Sequence, residues 1–140
     1  MDTGVSTTAL DPNTDERYVP LRRQLGVTSF GLNQILLRPG QRGRIHRHAH
    51  QEEVYVVLAG TLTLLIESEA SEFGQGELVR VGPEVRRQMV NRQPGEDLLL
   101  LALGGAGDHV GRDGEAFESW EQETGAPPQE VPLPEDEPVR

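Results

Sequence analysis

Residues 40–60 read Gly-Gln-Arg-Gly-Arg-Ile-His-Arg-His-Ala-His-Gln-Glu-Glu-Val-Tyr-Val-Val-Leu-Ala-Gly, and this stretch constrains the fold more than any other. Three of the four histidines fall here at alternate positions, His46, His48 and His50. Alternate residues on a strand share a face. A strand through His46 and His48 therefore presents two imidazoles to one side. The run that follows, Glu53–Leu58, is rich in Val and Tyr and favours a second strand. If Glu53 points inward, so do Tyr55 and Val57. A carboxylate on that strand completes a set of three metal ligands. His50 falls in the hairpin between the two strands and reads as a solvated loop residue.

The rest of the chain follows the same grammar. Strand-like runs recur at 27–37, 61–67, 77–81, 86–90 and 97–103, separated by turns rich in Gly and Pro. The segment 18–25 reads as a short strand or turn, and 68–75 as a polar loop. Before residue 114 no span of ten residues carries a helical period. Short, evenly spaced strands of this kind build a sandwich or barrel, so the expected class is all-β. Residues 115–122 suggest one or two helical turns. The expected organisation is a flexible arm over 1–16, a barrel over 17–112, and a mostly disordered acidic, Pro-rich tail over 113–140.

Charge and composition narrow the function. The net charge is −10. Nine of the 23 acids and one of the 13 basic residues lie in 113–140, so the body is nearly balanced. No basic face points to nucleic acid. All the basic residues are Arg, which excludes a Schiff-base lysine. Without Cys there is no disulfide, thiolate metal site or catalytic thiol. No apolar run approaches the ~18 residues of a membrane helix, and the start lacks a signal-peptide pattern, so the expected location is the cytoplasm. The outward residues Val54, Val56 and Leu58, with the apolar run Leu98–Leu103, give a sheet apolar on both sides. Such a sheet needs cover on both sides, and a homodimer packed sheet on sheet supplies it.

The spacing of Gly40, His46, His48, Glu53 and Gly60 resembles the first motif of the cupin superfamily. Gly76 and Asn91 stand at the ends of its second motif. Within that motif Gly82 replaces the family's Pro, Glu84 its Gly, and Arg87 its metal-binding His. The resemblance covers about residues 27–104. It implies an antiparallel jelly-roll β-barrel with a site in its mouth. It also implies that His46, His48 and Glu53 bind a divalent metal ion, with Fe, Mn, Ni and Zn all acceptable.

Arg87 is the departure with consequences. A guanidinium cannot ligate a cation and stays protonated. Arg87 points away from the metal, or orients an anionic substrate beside it, with Arg44 as a second cation on the same face and Tyr55 as a pocket donor, or replaces the metal by pairing with Glu53. Two readings follow. One is a metal-dependent enzyme of dioxygenase or isomerase type acting on a small anionic metabolite, with Arg87 and Tyr55 as catalytic residues. The other is a metal-free binding module for a small anionic or sugar-like ligand. A structural dimer domain carrying an acidic tail is a third. His109, after the last strand, reads as a loop histidine. Trp120 reads as an anchor for the tail.

Overall fold

A computed structural model describes residues 3–105 and 113–139 of the chain. Ten strands and almost no helix form an antiparallel jelly-roll barrel of two layers. The first layer holds β1 (Tyr18–Pro20), β2 (Gly31–Leu37), β4 (Glu52–Ala59), β7 (Leu78–Val81) and β9 (Leu98–Gly105), in the order β1-β2-β9-β4-β7. The second holds β5 (Leu62–Ile66), β6 (Glu69–Phe73) and β8 (Gln88–Val90), ordered β6-β5-β8. The pair β3 (Ile45–His48) and β10 (Gly114–Phe117) extends it, because backbone pairs Arg42/Val90 and His46/Arg87 join β3 to the β8 segment. A five-residue helix, α1 (Leu21–Leu25), follows β1.

The alternation expected on β4 is observed. Glu53, Tyr55 and Val57 are buried, while Val54, Val56 and Leu58 are only partly covered on the outer face. Strand β9 repeats the pattern, with Leu98, Leu100 and Ala102 inward. Those residues meet Ile35, Leu37, Leu62, Leu64, Val81 and Met89 from both layers in one core. Close-packed aliphatic side chains of this kind each contribute about 1.5–3 kcal/mol on burial. The core fills one end of the barrel and leaves the other for polar side chains.

Two segments differ from the sequence-based expectation. Residues 69–73, read as part of a polar loop, form β6. This edge strand pairs only with β5 and is largely exposed, so its side chains carry no apolar alternation to read. The segment expected to be helical at 115–122 instead begins with β10, which pairs residue for residue with β3 from Gly114/His48 to Phe117/Ile45. Ala116 and Phe117 are buried there, and Arg86 lies 4.2 Å over the Phe117 ring.

The tail beyond β10 is also held against the barrel. Ala116 and Ala126 form a backbone bridge, Pro128–Glu130 make one 3-10 turn, and Val131 is buried. Arg44 Nε donates to the Val131 carbonyl at 2.6 Å, and Arg42 Nε to the Glu135 carbonyl at 2.8 Å. The Glu137 amide donates to the Gly40 carbonyl at 2.7 Å. Gly40 has φ 86°, and a Cβ there would strike the Glu137 carbonyl oxygen, so only glycine fits. The folded body thus runs past the expected boundary at residue 112. Proline lacks an N–H donor, and this segment is fastened through carbonyls that accept from Arg42 and Arg44 and through ion pairs of Arg17 with Asp136 and of Arg92 with Glu137. The N-terminal arm is fastened similarly. The buried Gln34 side chain exchanges two hydrogen bonds with the Asp11 backbone, at 2.6 and 2.8 Å.

Candidate functional site

The site is built where β3, β4 and the β8 segment converge. His46 and Arg87 are directly paired across the antiparallel ladder. Each backbone N–H donates to the other's carbonyl, at 3.0 and 2.9 Å. Residues so opposed project to the same face, so both side chains enter the barrel. His48 follows His46 by alternation. Glu53 and Tyr55 arrive from β4 on the facing layer.

His46 Nε2 lies 3.5 Å and His48 Nε2 3.4 Å from the same oxygen, Glu53 Oε1. The ligand atoms of the three residues all fall within 4.8 Å of one another. The other ring nitrogens are engaged. His46 Nδ1 is 3.1 Å from the Arg44 carbonyl, an obligatory acceptor, so Nδ1 carries the proton. His48 Nδ1 is 2.8 Å from Asp113 Oδ1. Asp113 is itself fixed by the amides of His50 and Gln51 and by the Gln51 side chain. Anchored Nδ1 atoms aim both Nε2 atoms at the carboxylate, and on losing their protons these are oriented as metal-binding imidazoles usually are. Bonds of about 2.1 Å place neighbouring ligand atoms roughly 3.0–3.4 Å apart. The donor set and its spacing therefore fit a divalent ion.

Beneath the trio lies a closed polar network. Arg87 Nη2 donates to Glu53 Oε1 at 2.6 Å, and Tyr55 Oη to the same oxygen at 2.7 Å. Arg87 Nε donates to Tyr55 Oη at 3.0 Å, and Nη1 to the Val85 carbonyl at 2.8 Å. Neither Arg87 nor Tyr55 has exposed surface. Burial opposes the charge of Arg87, but Tyr55 and Glu53 raise its pKa. Burial and the Glu53 charge push the Tyr55 hydroxyl well above its ordinary value. Burial alone would raise the Glu53 carboxyl, yet bonds from His46 and His48 and the charges of both rings hold it well below the carboxylate range. Burial disfavours the His48 cation, but its bonds to Glu53 and Asp113, with the Glu53 charge, raise its pKa.

The expected site residues are thus brought together. Arg87 and Tyr55 have no exposed surface. They sit behind Glu53 with their polar atoms occupied, and they fix its orientation. Arg47 faces outward to Glu115 and Glu84, and His50 is exposed in the hairpin. His109 lies outside the described residues. Trp120 lines a groove on the outer side of the barrel, away from the trio.

Above the trio is a mouth of about 420 Å³ lined by Tyr18, Asn33, Arg44, His46, His48, Glu53, Pro128 and Gln129. Sequence reasoning missed Asp113, Pro128 and Gln129. They follow the barrel's last expected strand by many residues and belong to no local pattern. Tyr18 and Asn33 had no motif to mark them.

A two-layer antiparallel barrel with two imidazoles and a carboxylate converging in its mouth defines a class of small β-barrel protein with a candidate metal centre. The cupin domain family matches residues 33–104, just over half of the chain, and the chain belongs to the cupin family. Solved structures agree. A sugar phosphate isomerase of the cupin superfamily from Silicibacter pomeroyi DSS-3 superposes with a TM-score of 0.62 at 22% identity, over 73% of this chain and 65% of that one. A putative sugar phosphate isomerase from Acidithiobacillus ferrooxidans ATCC 23270 gives 0.57 at 26% identity, over 62% and 56%. A cupin protein from Bacteroides fragilis gives 0.63 at 19% identity, over 87% and 97%. The chain therefore spans less than two thirds of the length of the first two. No curated protein matches the chain. Among the described residues no helix is long and apolar enough to cross a membrane.

Proposed function

We propose that this cupin holds a divalent cation with His46, His48 and Glu53 and acts on a small anionic metabolite in the barrel mouth, with isomerase-type chemistry favoured over dioxygenase-type. One observation carries the reading. Both Nε2 atoms converge on Glu53 Oε1 while both Nδ1 atoms are anchored elsewhere. The two neighbours whose names describe sugar phosphate isomerases support the choice of reaction class.

A divalent ion held there supplies a Lewis acid for a carbonyl or hydroxyl oxygen. The chain's own residues do the rest. Asp113 and the Arg44 carbonyl fix the two rings. Arg87 and Tyr55 hold Glu53 and balance its charge, so a bound cation leaves the centre net positive and receptive to an anion. We place the protein in the cytoplasm as a homodimer, with no nucleic-acid or membrane partner.

Protein purified without a His tag tests this directly. Elemental analysis is expected to find about one metal per chain, lost in His46→Ala. No metal under supplementation with Fe, Mn, Ni or Zn would end the reading. A second reading has its own observation. The 2.6 Å contact of Arg87 with Glu53 gives that carboxylate a counter-charge without any metal, which suits a non-catalytic module for a small anionic or sugar-like ligand.

A further inference from the structure

The mouth differs from its floor in one respect. On the floor, Glu53, Tyr55 and Arg87 satisfy one another. Around the rim, four polar groups make no hydrogen bond to any described residue: the Tyr18 hydroxyl, the Asn33 amide, the two terminal guanidinium nitrogens of Arg44, and the Gln129 amide. Arg44 contributes only its Nε to the fold, through the Val131 carbonyl. It precedes β3 and borders both the mouth and the neighbouring groove lined by Trp120.

The charges point the same way. Arg87 balances Glu53 beneath the site, and among the described residues Arg44 has no acidic partner within ion-pair distance. Arg44 is thus a cation at the mouth without a carboxylate of its own, in a chain of net charge −10. These groups border an open cavity and are not tied to the fold, so they are free to exchange water for a ligand's oxygens. A guanidinium matches the planar or tetrahedral oxygens of a carboxylate or phosphate. Burial pushes the Tyr18 pKa up to about 12 despite the opposing charge of Arg44, so its hydroxyl remains a donor.

We propose that Arg44 binds the acidic group of the ligand, and that Tyr18, Asn33 and Gln129 take hydroxyls next to it. The ligand is then a hydroxylated organic anion, a sugar phosphate or sugar acid, and the C-terminal segment is part of its binding site. The proposal rests on the mouth being the small-molecule site, and it holds with or without the metal.

The test uses the full chain and calorimetric titration with ribose 5-phosphate, gluconate and uncharged ribose, each with EDTA-treated and metal-supplemented protein. At least one acid is expected to bind ten-fold or more tighter than ribose. Arg44→Gln is expected to weaken that acid at least ten-fold, about 1.4 kcal/mol, and Arg44→Lys to recover only part of the loss, because an ammonium keeps the charge but not the bidentate fork. The separation of phosphate from carboxylate in these arms names the acid group. Gln129→Ala, which removes a side chain without an internal bond, is expected to weaken the hydroxylated acid while leaving inorganic phosphate unchanged. Acids binding no better than ribose, or Arg44→Gln binding like the parent, would overturn the proposal. Arg44-dependent binding in protein that takes up no metal supports it and ends only the metal reading. Stoichiometric metal with Arg44-independent binding ends the proposal alone.

Discussion

His46 and Arg87 form a reciprocal backbone pair, N–H to carbonyl in both directions at 3.0 and 2.9 Å, and so face the same interior. Arg87 is therefore locked into the centre by the ladder. Replacing it with Met strands Glu53 and leaves Tyr55 without its donor. Loss of one member of a buried ion pair costs about 3–5 kcal/mol. Urea unfolding should show a loss of that order for Arg87→Met. Adding Glu53→Gln should recover most of it, because no unpaired charge remains. Arg87→His places an imidazole opposite His46, and isothermal titration should then show tighter metal binding.

The tail provides a second prediction. Truncation after Glu123 removes the Ala126 bridge, the buried Val131 and the carbonyls that accept from Arg42 and Arg44. Val burial is worth about 1.5–3 kcal/mol and each net hydrogen bond roughly 0.5–1.5. A loss of about 3 kcal/mol and a fall in Tm of roughly 10 °C are expected by calorimetry. Read as a disordered tail, the same segment would leave Tm unchanged.

A third concerns pH. The His48 pKa in the metal-free protein is raised above its ordinary 6.5. Stability from the protonated ring is then fully present below that ordinary value. It is lost as pH climbs through the raised one. NMR titration of EDTA-treated protein should show His48 titrating above 6.5. Asp113→Asn should shift it downward. Metal binding needs the deprotonated ring, so metal affinity should rise across the same window.

Thr63 gives a fourth. It is buried on β5, and its Oγ1 has no hydrogen-bond partner. Thr63→Val keeps the shape and removes the unsatisfied hydroxyl. An increase of about 1 kcal/mol in unfolding free energy is expected, read from the urea midpoint at unchanged m-value.

The outer face of the first layer gives a fifth. Val54 pairs with Leu103 and Val56 with Leu101, and all four are only partly covered. If a second copy covers this face, light scattering should give a dimer and Val56→Glu a monomer with the same metal content.

Much of this was legible in residues 40–60. The alternation of His46 and His48, and of Glu53, Tyr55 and Val57, is a local property of pleated backbone, and the structure keeps it. The apolar run at 98–103 was equally plain. Edge strand β6 was hidden because its exposed side chains are polar on both faces. Arg87 was visible as a departure, and its pairing with Glu53 was one of the outcomes expected, but no local pattern marked the bond from Arg87 to Tyr55 across the two layers. The binding of 124–137 was illegible for a different reason. Some arginine donors meet main-chain carbonyls, which have no sequence identity, and Asp136 and Glu137 pair with Arg17 and Arg92, too far away in the chain for any local pattern to show. Composition therefore read as disorder what the side chains of Arg42 and Arg44 hold in place.

The position of β3 between β8 and β10 also bears on the order in which the protein can be made. Chains emerge from the ribosome N-terminus first. His46, His48 and Glu53 are synthesised early, and Arg87 completes the floor under Glu53. Strand β3 then has one open edge until Gly114–Phe117 arrives, and His48 waits for Asp113. Pro128 and Gln129 add their part of the mouth later still, and the Val131 carbonyl then takes the bond from Arg44. The binding chamber is a late product of synthesis, completed by residues made well after His46, His48 and Glu53.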